Sequence, residues 1–371
     1  MRYRRLGDTG LTVSELSFGT IPILSGDVPV LPAYHSPDEE TAVAVMYHAW
    51  KLGCNLYDTA IVPEYGDAEI KLGKFAAAVG REHLIISDKA RYFDGNGMYQ
   101  AVLESACNLD TYPDIYFVHQ VDESNEDAVF GPGGALEALC ELKAEGKIRF
   151  CGIASHYYRI LQRGAADKRV DVLQGSGNLL ERGMLDRIEK DPQFKGKGLL
   201  LNKVYAAGIL PAFFPVRTLI SGVLTYPVSS ALIGMGTFAE VDQAMGQEPP
   251  VAKRPDFCEI ITELAKYVSP LPCDRCQRCR CPYGTEIHIL LRQYNYYHLG
   301  KDYWALRKLD LGIRESAARC RSCTSLICMK QCPRHIRIPF EIERIEKLVE
   351  AHIRDSLIIN GLQTGEDVRI E

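Results

Sequence analysis

Along the first two thirds of the chain, apolar residues fall into short β-rich runs, each closing on small or polar residues: Val13 to Thr20, Cys54 to Thr59, Leu84 to Lys89, Asp114 to His119, Ile148 to Ala154, Val170 to Gln174, Leu199 to Val204 and Ala231 to Gly234. These read as eight strands. Between them the apolar positions recur at helical spacing. Ser36-Pro37-Asp38-Glu39-Glu40 offers a cap with proline at the first helical position, leads into Ala42 to Tyr47 and stops at Gly53, and Gly134 to Lys147 follows the same plan. Strands and helices alternating at about 30 residues per unit predict a (β/α)8 TIM barrel, whose functional groups sit at the C-terminal strand ends. A doubly wound sheet shares this alternation, but no Gly-x-Gly-x-x-Gly follows the first run.

A length of 371 residues exceeds the roughly 250 to 300 at which one core stops growing, so a large domain and a small one are expected. The cysteines mark the division. Of thirteen, Cys54, Cys107, Cys140, Cys151 and Cys258 are scattered singly and read as buried small hydrophobes, whereas eight fall between residues 273 and 332. The expected domains are 1–265 (barrel), 266–345 (a small α-rich cysteine domain) and 346–371 (C-terminal helix and tail). Hydrophobic residues at 46%, charged residues at 25% and a net charge of -5 describe an ordinary soluble globular protein and disfavour disorder and nucleic-acid binding. Gly7 and Asp8 interrupt the start before any apolar run forms, so neither a signal peptide nor a membrane span is expected. The expected location is cytoplasmic, where clustered thiols act as metal ligands more often than as disulfides.

Polar residues at the strand ends suggest chemistry. Asp58 ends the second run, Lys89 the third and His119 the fourth, and Tyr65 lies in the loop after the second. Singly, each has an ordinary structural reading: a cap, two surface side chains and a satisfied histidine. Together they would converge on one rim. A tyrosine is a poor acid at neutral pH, but a nearby ammonium favours its phenolate and lowers its pKa. Lys89 can do this if Asp58 holds it, while His119 polarises a carbonyl oxygen and Tyr65 supplies the proton.

With these residues the chain resembles the aldo-keto reductases over roughly residues 1 to 245. The resemblance includes Tyr3-Arg4-Arg5-Leu6-Gly7, Gly10-Leu11-Thr12-Val13-Ser14, Asp58-Thr59-Ala60, Tyr65-Gly66, Lys89 and His119. It implies hydride transfer between NADH or NADPH and a small carbonyl substrate, with Asp58, Tyr65, Lys89 and His119 as the catalytic set. The family's Gly-x-Ser-Asn, which holds the nicotinamide carboxamide, reads Gly152-Ile153-Ala154-Ser155 here, so Ser155 takes the Asn position, and Gln174 matches a family glutamine at the same carboxamide. Tyr205 is a candidate for the aromatic that stacks on the ring. After the eighth run the segment Gly234 to Ala244 holds Glu240 and Asp242 and no basic residue, which suits a free ribose hydroxyl rather than a 2'-phosphate or marks degraded nicotinamide binding. The segment Ile21 to Ser36 is expected to help form the substrate pocket.

Both cysteine clusters end in Cys-Pro. The first is Cys273, Cys276, Cys279, Cys281-Pro282 and the second is Cys320, Cys323, Cys328, Cys332-Pro333. The ferredoxin run C-x2-C-x2-C-x3-C-P, whose fourth cysteine ligates the other cluster, is close to both though identical to neither. Two [4Fe-4S] clusters are expected, with Cys332 joining Cys273, Cys276 and Cys279, and Cys281 joining Cys320, Cys323 and Cys328. One cluster with a disrupted second, or zinc on the paired C-x2-C motifs, are the alternatives. Each run is followed by a similar tail, Ile287-His288-Ile289 and Ile336-Arg337-Ile338, as an internal duplication would leave. A branch of the aldo-keto reductases carries such a ferredoxin-like iron-sulfur tail. Arg275, Arg278, Arg280, Arg319 and Arg321 interleave with the cysteines, suited to neutralising anionic clusters or, more sharply, to docking an acidic redox partner. An electron-transfer or redox-sensing protein with a catalytically degenerate barrel is the second functional reading.

Overall fold

The computed structural model of the chain describes residues 1–25, 37–246, 254–301 and 303–364. Two compact units divide it, Met1–Asp256 and Phe257–Glu371. The helix Phe257–Ala265 therefore belongs to the second unit, whereas the sequence boundary was drawn at 265.

In the first unit a hairpin, β1 (Tyr3–Arg5) and β2 (Thr12–Ser14), precedes a closed barrel of eight parallel strands: β3 (Leu16–Gly19), β4 (Leu56–Asp58), β5 (Ile85–Ala90), β6 (Ile115–Val118), β7 (Phe150–Ala154), β8 (Val172–Ser176), β9 (Gly198–Asn202) and β10 (Ser230–Gly234). All eight expected strands are present except that the first, Val13 to Thr20, is two. Glu15 is the break. Its buried carboxylate pairs with Arg2 at 2.8 Å and Arg4 at 2.6 Å, which turns the chain from the hairpin into the barrel. Leu6 and Val13 then pack with Leu56, Ile85, Ile115, Val172 and Leu200, closing the N-terminal end of the barrel with apolar side chains. The interior is filled, not hollow: a Cβ on Gly152 would stand 2.2 Å from the Phe117 ring, so only glycine fits opposite that aromatic. Closing one end in this way leaves the C-terminal ends of the strands as the polar mouth.

The second unit is α-helical among the described residues, with helices Phe257–Ala265, Ile287–Gly300, Tyr303–Ser322, Ile327–Gln331 and Ile338–Thr364. The last runs unbroken through 345, where the sequence reading separated a tail. Ile287, Leu291, Leu309, Ile313, Ile338 and Ile342 form its core together with Cys328 and Cys332. The two Cys-Pro cysteines are followed by similar turns. Gly284 and His335 each donate their N–H to the carbonyl of a Cys-Pro cysteine, Cys281 and Cys332, both at 3.2 Å and both with positive φ. Between the two cysteine runs Tyr294 and Tyr296 are buried; the side chains of Tyr303 and Trp304 lie outside the described residues. No described helix is long and apolar enough to cross a membrane.

Candidate active site and cysteine clusters

Successive residues of a strand face opposite sides, so Ser87 and Lys89 of β5 point into the barrel mouth and Asp88 points outward. The Lys89 Nζ lies 2.6 Å from Asp58 Oδ2, at the end of β4, and donates to the Thr59 carbonyl, also at 2.6 Å. Asp58 Oδ1 accepts from the Ser87 hydroxyl at 2.7 Å and from the Gln174 amide at 2.9 Å. Asp58 is 4% exposed and Lys89 1%. Burial alone would push the Lys89 pKa down; the charges of Asp58 and of a Tyr65 phenolate more than offset it and hold the ammonium above its usual range.

Tyr65 closes the short helix Pro63–Tyr65 after β4, and the Lys89 ammonium stands 5.1 Å from its ring centroid. Beside it Glu64 pairs with Arg91, two residues beyond Lys89. His119 follows β6 and is anchored by its backbone N–H on the Ala90 carbonyl at 2.8 Å. Its Nδ1 is buried with no hydrogen-bond partner among the described residues. Burial, then the cations Lys89, Arg91 and Lys203, hold the imidazole pKa well below 6.5, so the ring is neutral at physiological pH. The structure thus gathers Asp58, Tyr65, Lys89 and His119 at one mouth.

Sequence reasoning missed Ser87, Thr59, Glu64 and Arg91. Ser87 carries a usable signal, because two residues before Lys89 on a strand means the same face. The Arg91–Glu64 pair carries none, since it depends on the path of the loop.

The Ser155 hydroxyl, 1% exposed, donates to the Val121 carbonyl at 2.6 Å and accepts from the Tyr157 N–H at 3.0 Å. Gln174 spends its amide N–H on Asp58, leaving Oε1 buried and unmatched. Ser176 Oγ and Asn202 Oδ1, on the last residues of β8 and β9, are also buried and unmatched, as are Thr20 Oγ1 and Thr59 Oγ1 just beyond β3 and β4. Buried polar atoms are normally satisfied, so this ring of unmatched groups suits a polar ligand in the mouth. The Tyr205 hydroxyl is likewise buried without a partner among the described residues, and burial, then Glu240, push its pKa up.

The two acids after β10 are otherwise engaged. Glu240 folds back onto its own helix, accepting from Gly236 and Thr237 N–H at 2.8 and 3.1 Å while its N–H donates to Thr237 Oγ1. Asp242 turns to His48 at 2.7 Å. Arg254, a residue that could have folded back to a cofactor phosphate, is bound to Glu189 at 2.7 Å and lies over the Tyr226 ring. Lys253 and most of the Ile21 to Ser36 segment lie outside the described residues.

In the second unit Cys273, Cys276, Cys279 and Cys332 line one small pocket together with Arg275 and His288. Cys281, Cys320, Cys323 and Cys328 are not among its lining. Beyond burial, the charge of a Cys332 thiolate raises the thiols of Cys276 and Cys279, and those of Cys281 and Cys323 raise Cys320 and Cys328; Cys328 also raises Cys279. Burial raises the thiols of Cys276 and Cys320 to about 11. Metal binding there has to displace protons. Among the described residues no three His, Cys, Asp or Glu side chains converge as ligands of one metal ion. Of the five interleaved arginines only Arg275 lines the pocket; Arg278 and Arg280 are exposed, Arg319 binds the Tyr283 carbonyl and Arg321 pairs with Glu346.

The five scattered cysteines are not uniformly buried as expected: Cys54 and Cys151 are, Cys140 is half-buried, and Cys107 and Cys258 are exposed. For Cys107 the reason is helical phase. Met98, Ala101, Val102, Ser105 and Leu109 form the buried stripe of its helix, and Cys107 lies opposite.

Residues 15–213 match the aldo/keto reductase family profile. L-galactose dehydrogenase of Arabidopsis thaliana is 36% identical over 161 residues, covering 40% of this chain and 47% of that protein. The NADH-specific methylglyoxal reductase of Escherichia coli is 28% identical over 206 residues, covering 48% and 60%. The chain thus spans about half the length of the curated relatives it matches. A Pseudomonas aeruginosa protein solved as an aldo-keto reductase is similar at a TM-score of 0.58 and 28% identity, covering 68% of this chain and 95% of that one. The holo form of an aldo-keto reductase from Bacillus halodurans, at 20% identity and a TM-score of 0.57, shares the fold.

Proposed function

The chain belongs to the aldo/keto reductase family, and from that premise we propose that it reduces a small carbonyl compound with NADH or NADPH, using Tyr65 as proton donor. The observation that carries this is the buried Asp58–Lys89 pair with its ammonium beside Tyr65. The nicotinamide, when bound, supplies the hydride. Lys89, kept charged by Asp58, lowers the cost of the phenolate left when Tyr65 gives up its proton. Neutral His119 can donate its ring N–H to the carbonyl oxygen without adding a cation that would compete with Lys89. Gln174, Ser176 and Asn202 are the groups with unmatched polar atoms to hold the carboxamide, and Ser155, its hydrogen already donated to Val121, can contribute only an acceptor.

The two sets of four cysteines are read as holders of two [4Fe-4S] clusters, which when bound supply one-electron transfer. What supports this reading is that Cys273, Cys276, Cys279 and Cys332, from both cysteine runs, line one pocket. Electron exchange with a redox partner is part of the same proposal.

Tyr65→Phe tests the barrel reading. It should abolish carbonyl reduction while nicotinamide binding, followed by protein fluorescence, is nearly unchanged, since the variant lacks the proton donor but keeps the binding surface. Unchanged turnover would reject the assignment.

A further inference from the structure

Cys140 and Cys151 lie outside everything assigned above. Cys151 is on β7 between Phe150 and Gly152, which face the barrel interior, so its side chain faces the helical layer, fully buried. Cys140 is on the helix Ala135–Ala144, half-buried and open to small molecules. One carboxylate oxygen ties the two elements together. Asp171 Oδ2 accepts the Cys151 backbone N–H at 2.9 Å and the Lys143 ammonium at 2.6 Å, and Lys143 is one helical turn beyond Cys140. Arg169, held by Asp167 at 2.7 Å and by the Phe130 carbonyl at 2.9 Å, supplies a second cation.

The two thiols are in contact and unequal. A hydrogen bond from Cys151, then the charges of Arg169 and Lys143, bring the Cys140 thiol down to about 7 against the opposing effect of burial. The bond to Cys140 and burial push Cys151 up. Cys54, by contrast, is buried alone, with its S–H on the Leu56 carbonyl and its pKa raised to about 11.

We propose that Cys140 and Cys151 form a peroxide-reactive thiol–disulfide site on the outer face of the barrel, with Cys140 as the attacking sulfur and Cys151 as the resolving one. The Cys140 thiolate attacks one oxygen of hydrogen peroxide; the O–O bond breaks, a protein sulfenic acid forms and hydroxide leaves. The Cys151 thiol then attacks that sulfur, its proton leaves with the hydroxyl as water, and the S–S bond forms. Two thiols lose two electrons and the peroxide gains them. An external dithiol reverses the step by exchange.

The test uses the full chain with any metal clusters in place. It is exposed briefly to hydrogen peroxide, its remaining thiols are alkylated, and it is mapped by mass spectrometry. The expected result is a cross-linked Cys140–Cys151 peptide, lost on addition of dithiothreitol. In Cys151→Ser a dimedone adduct should accumulate on Cys140 instead. Cys107 is the internal control because it is more exposed than Cys140. At neutral pH Cys140 should alkylate faster than Cys107, its thiol being lowered by the neighbouring Cys151 and the cations Arg169 and Lys143. Cys140 reacting no faster than Cys107, or no cross-link with Cys151→Ser unmodified at Cys140, would overturn the proposal. Neither outcome depends on carbonyl reduction.

Discussion

Lys89 and Asp58 form an ion pair of 2.6 Å inside the barrel mouth, with neither side chain more than 6% exposed. Removing one member of such a pair leaves an uncompensated buried charge, at a cost of about 3–5 kcal/mol. Asp58→Asn should therefore lower stability to denaturant by about that amount. Ser87→Ala, which removes one neutral donor to the same carboxylate, should cost about 1–3 kcal/mol. Equal losses from the two variants would mean that the charge pair is not what organises the mouth.

His119 gives a prediction in pH. Its folded pKa lies well below 6.5, so the folded state holds the ring neutral while the unfolded chain binds a proton below about 6.5. Stability from this group is complete above that value and is lost as pH falls from about 6.5 toward the folded pKa. His119→Gln should flatten the fall. In kcat/KM for carbonyl reduction no inflection should arise near 6.5; one that vanished in His119→Gln would show that the ring titrates at its ordinary value.

Behind Lys89, Asp88 and Glu69 form a second buried pair, both carboxyls. Asp88 Oδ1 accepts the Lys89 backbone N–H at 2.7 Å and Glu69 Oε2 accepts the Asn108 amide at 2.8 Å, leaving Asp88 Oδ2 and Glu69 Oε1 buried without a donor among the described residues. Burial, then Glu69, raise the Asp88 pKa well above its usual range. A raised carboxyl stabilises the fold fully below its unfolded pKa of about 3.9 and loses that contribution as pH rises through the folded value. Asp88→Asn keeps the acceptor for Lys89 and offers an amide donor to Glu69, so it should be more stable than the parent at pH 8 and flatter from pH 5 to 9 by chemical denaturation. A parent with no such slope would remove the case for a shared proton.

The barrel was legible because strand runs and caps are local, and so were Asp58, Lys89 and His119, which sit at strand ends where a barrel gathers its chemistry. What the sequence concealed was long-range pairing. Glu240 and Asp242 read as free acids beside a ribose, but one caps its own helix and the other meets His48, nearly two hundred residues away in the chain. The exposed Cys107 was misread because composition makes a cysteine look buried, whereas helical phase decides it.

Cofactor choice follows from those pairings. The start of the helix Phe238–Met245 has its Gly236 and Thr237 N–H groups already filled by Glu240, and a 2'-phosphate brought there meets a carboxylate. NADH should bind at least as tightly as NADPH in a fluorescence titration, and Glu240→Gln should improve NADPH more than NADH. A clear NADPH preference in the parent would require a cation from elsewhere, with Lys253 the first to substitute.

The cysteine grouping makes the most discriminating prediction. Anaerobically purified protein should contain iron and sulfide in near-equal amounts, approaching about eight of each with both clusters present, and zinc without sulfide would reject the reading outright. If Cys332 completes the set of Cys273, Cys276 and Cys279, as the shared pocket suggests, then Cys332→Ser and Cys273→Ser damage the same cluster, and the double variant should retain the iron of either single. If Cys281 belongs with Cys320, Cys323 and Cys328, Cys281→Ser damages the other cluster, and its combination with Cys273→Ser should lose nearly all the iron. Grouping by sequence run predicts the opposite: Cys281→Ser would then be redundant with Cys273→Ser and additive with Cys320→Ser. Iron and sulfide content of the three double variants, read beside their visible spectra, decides between the two arrangements without reference to any catalytic activity.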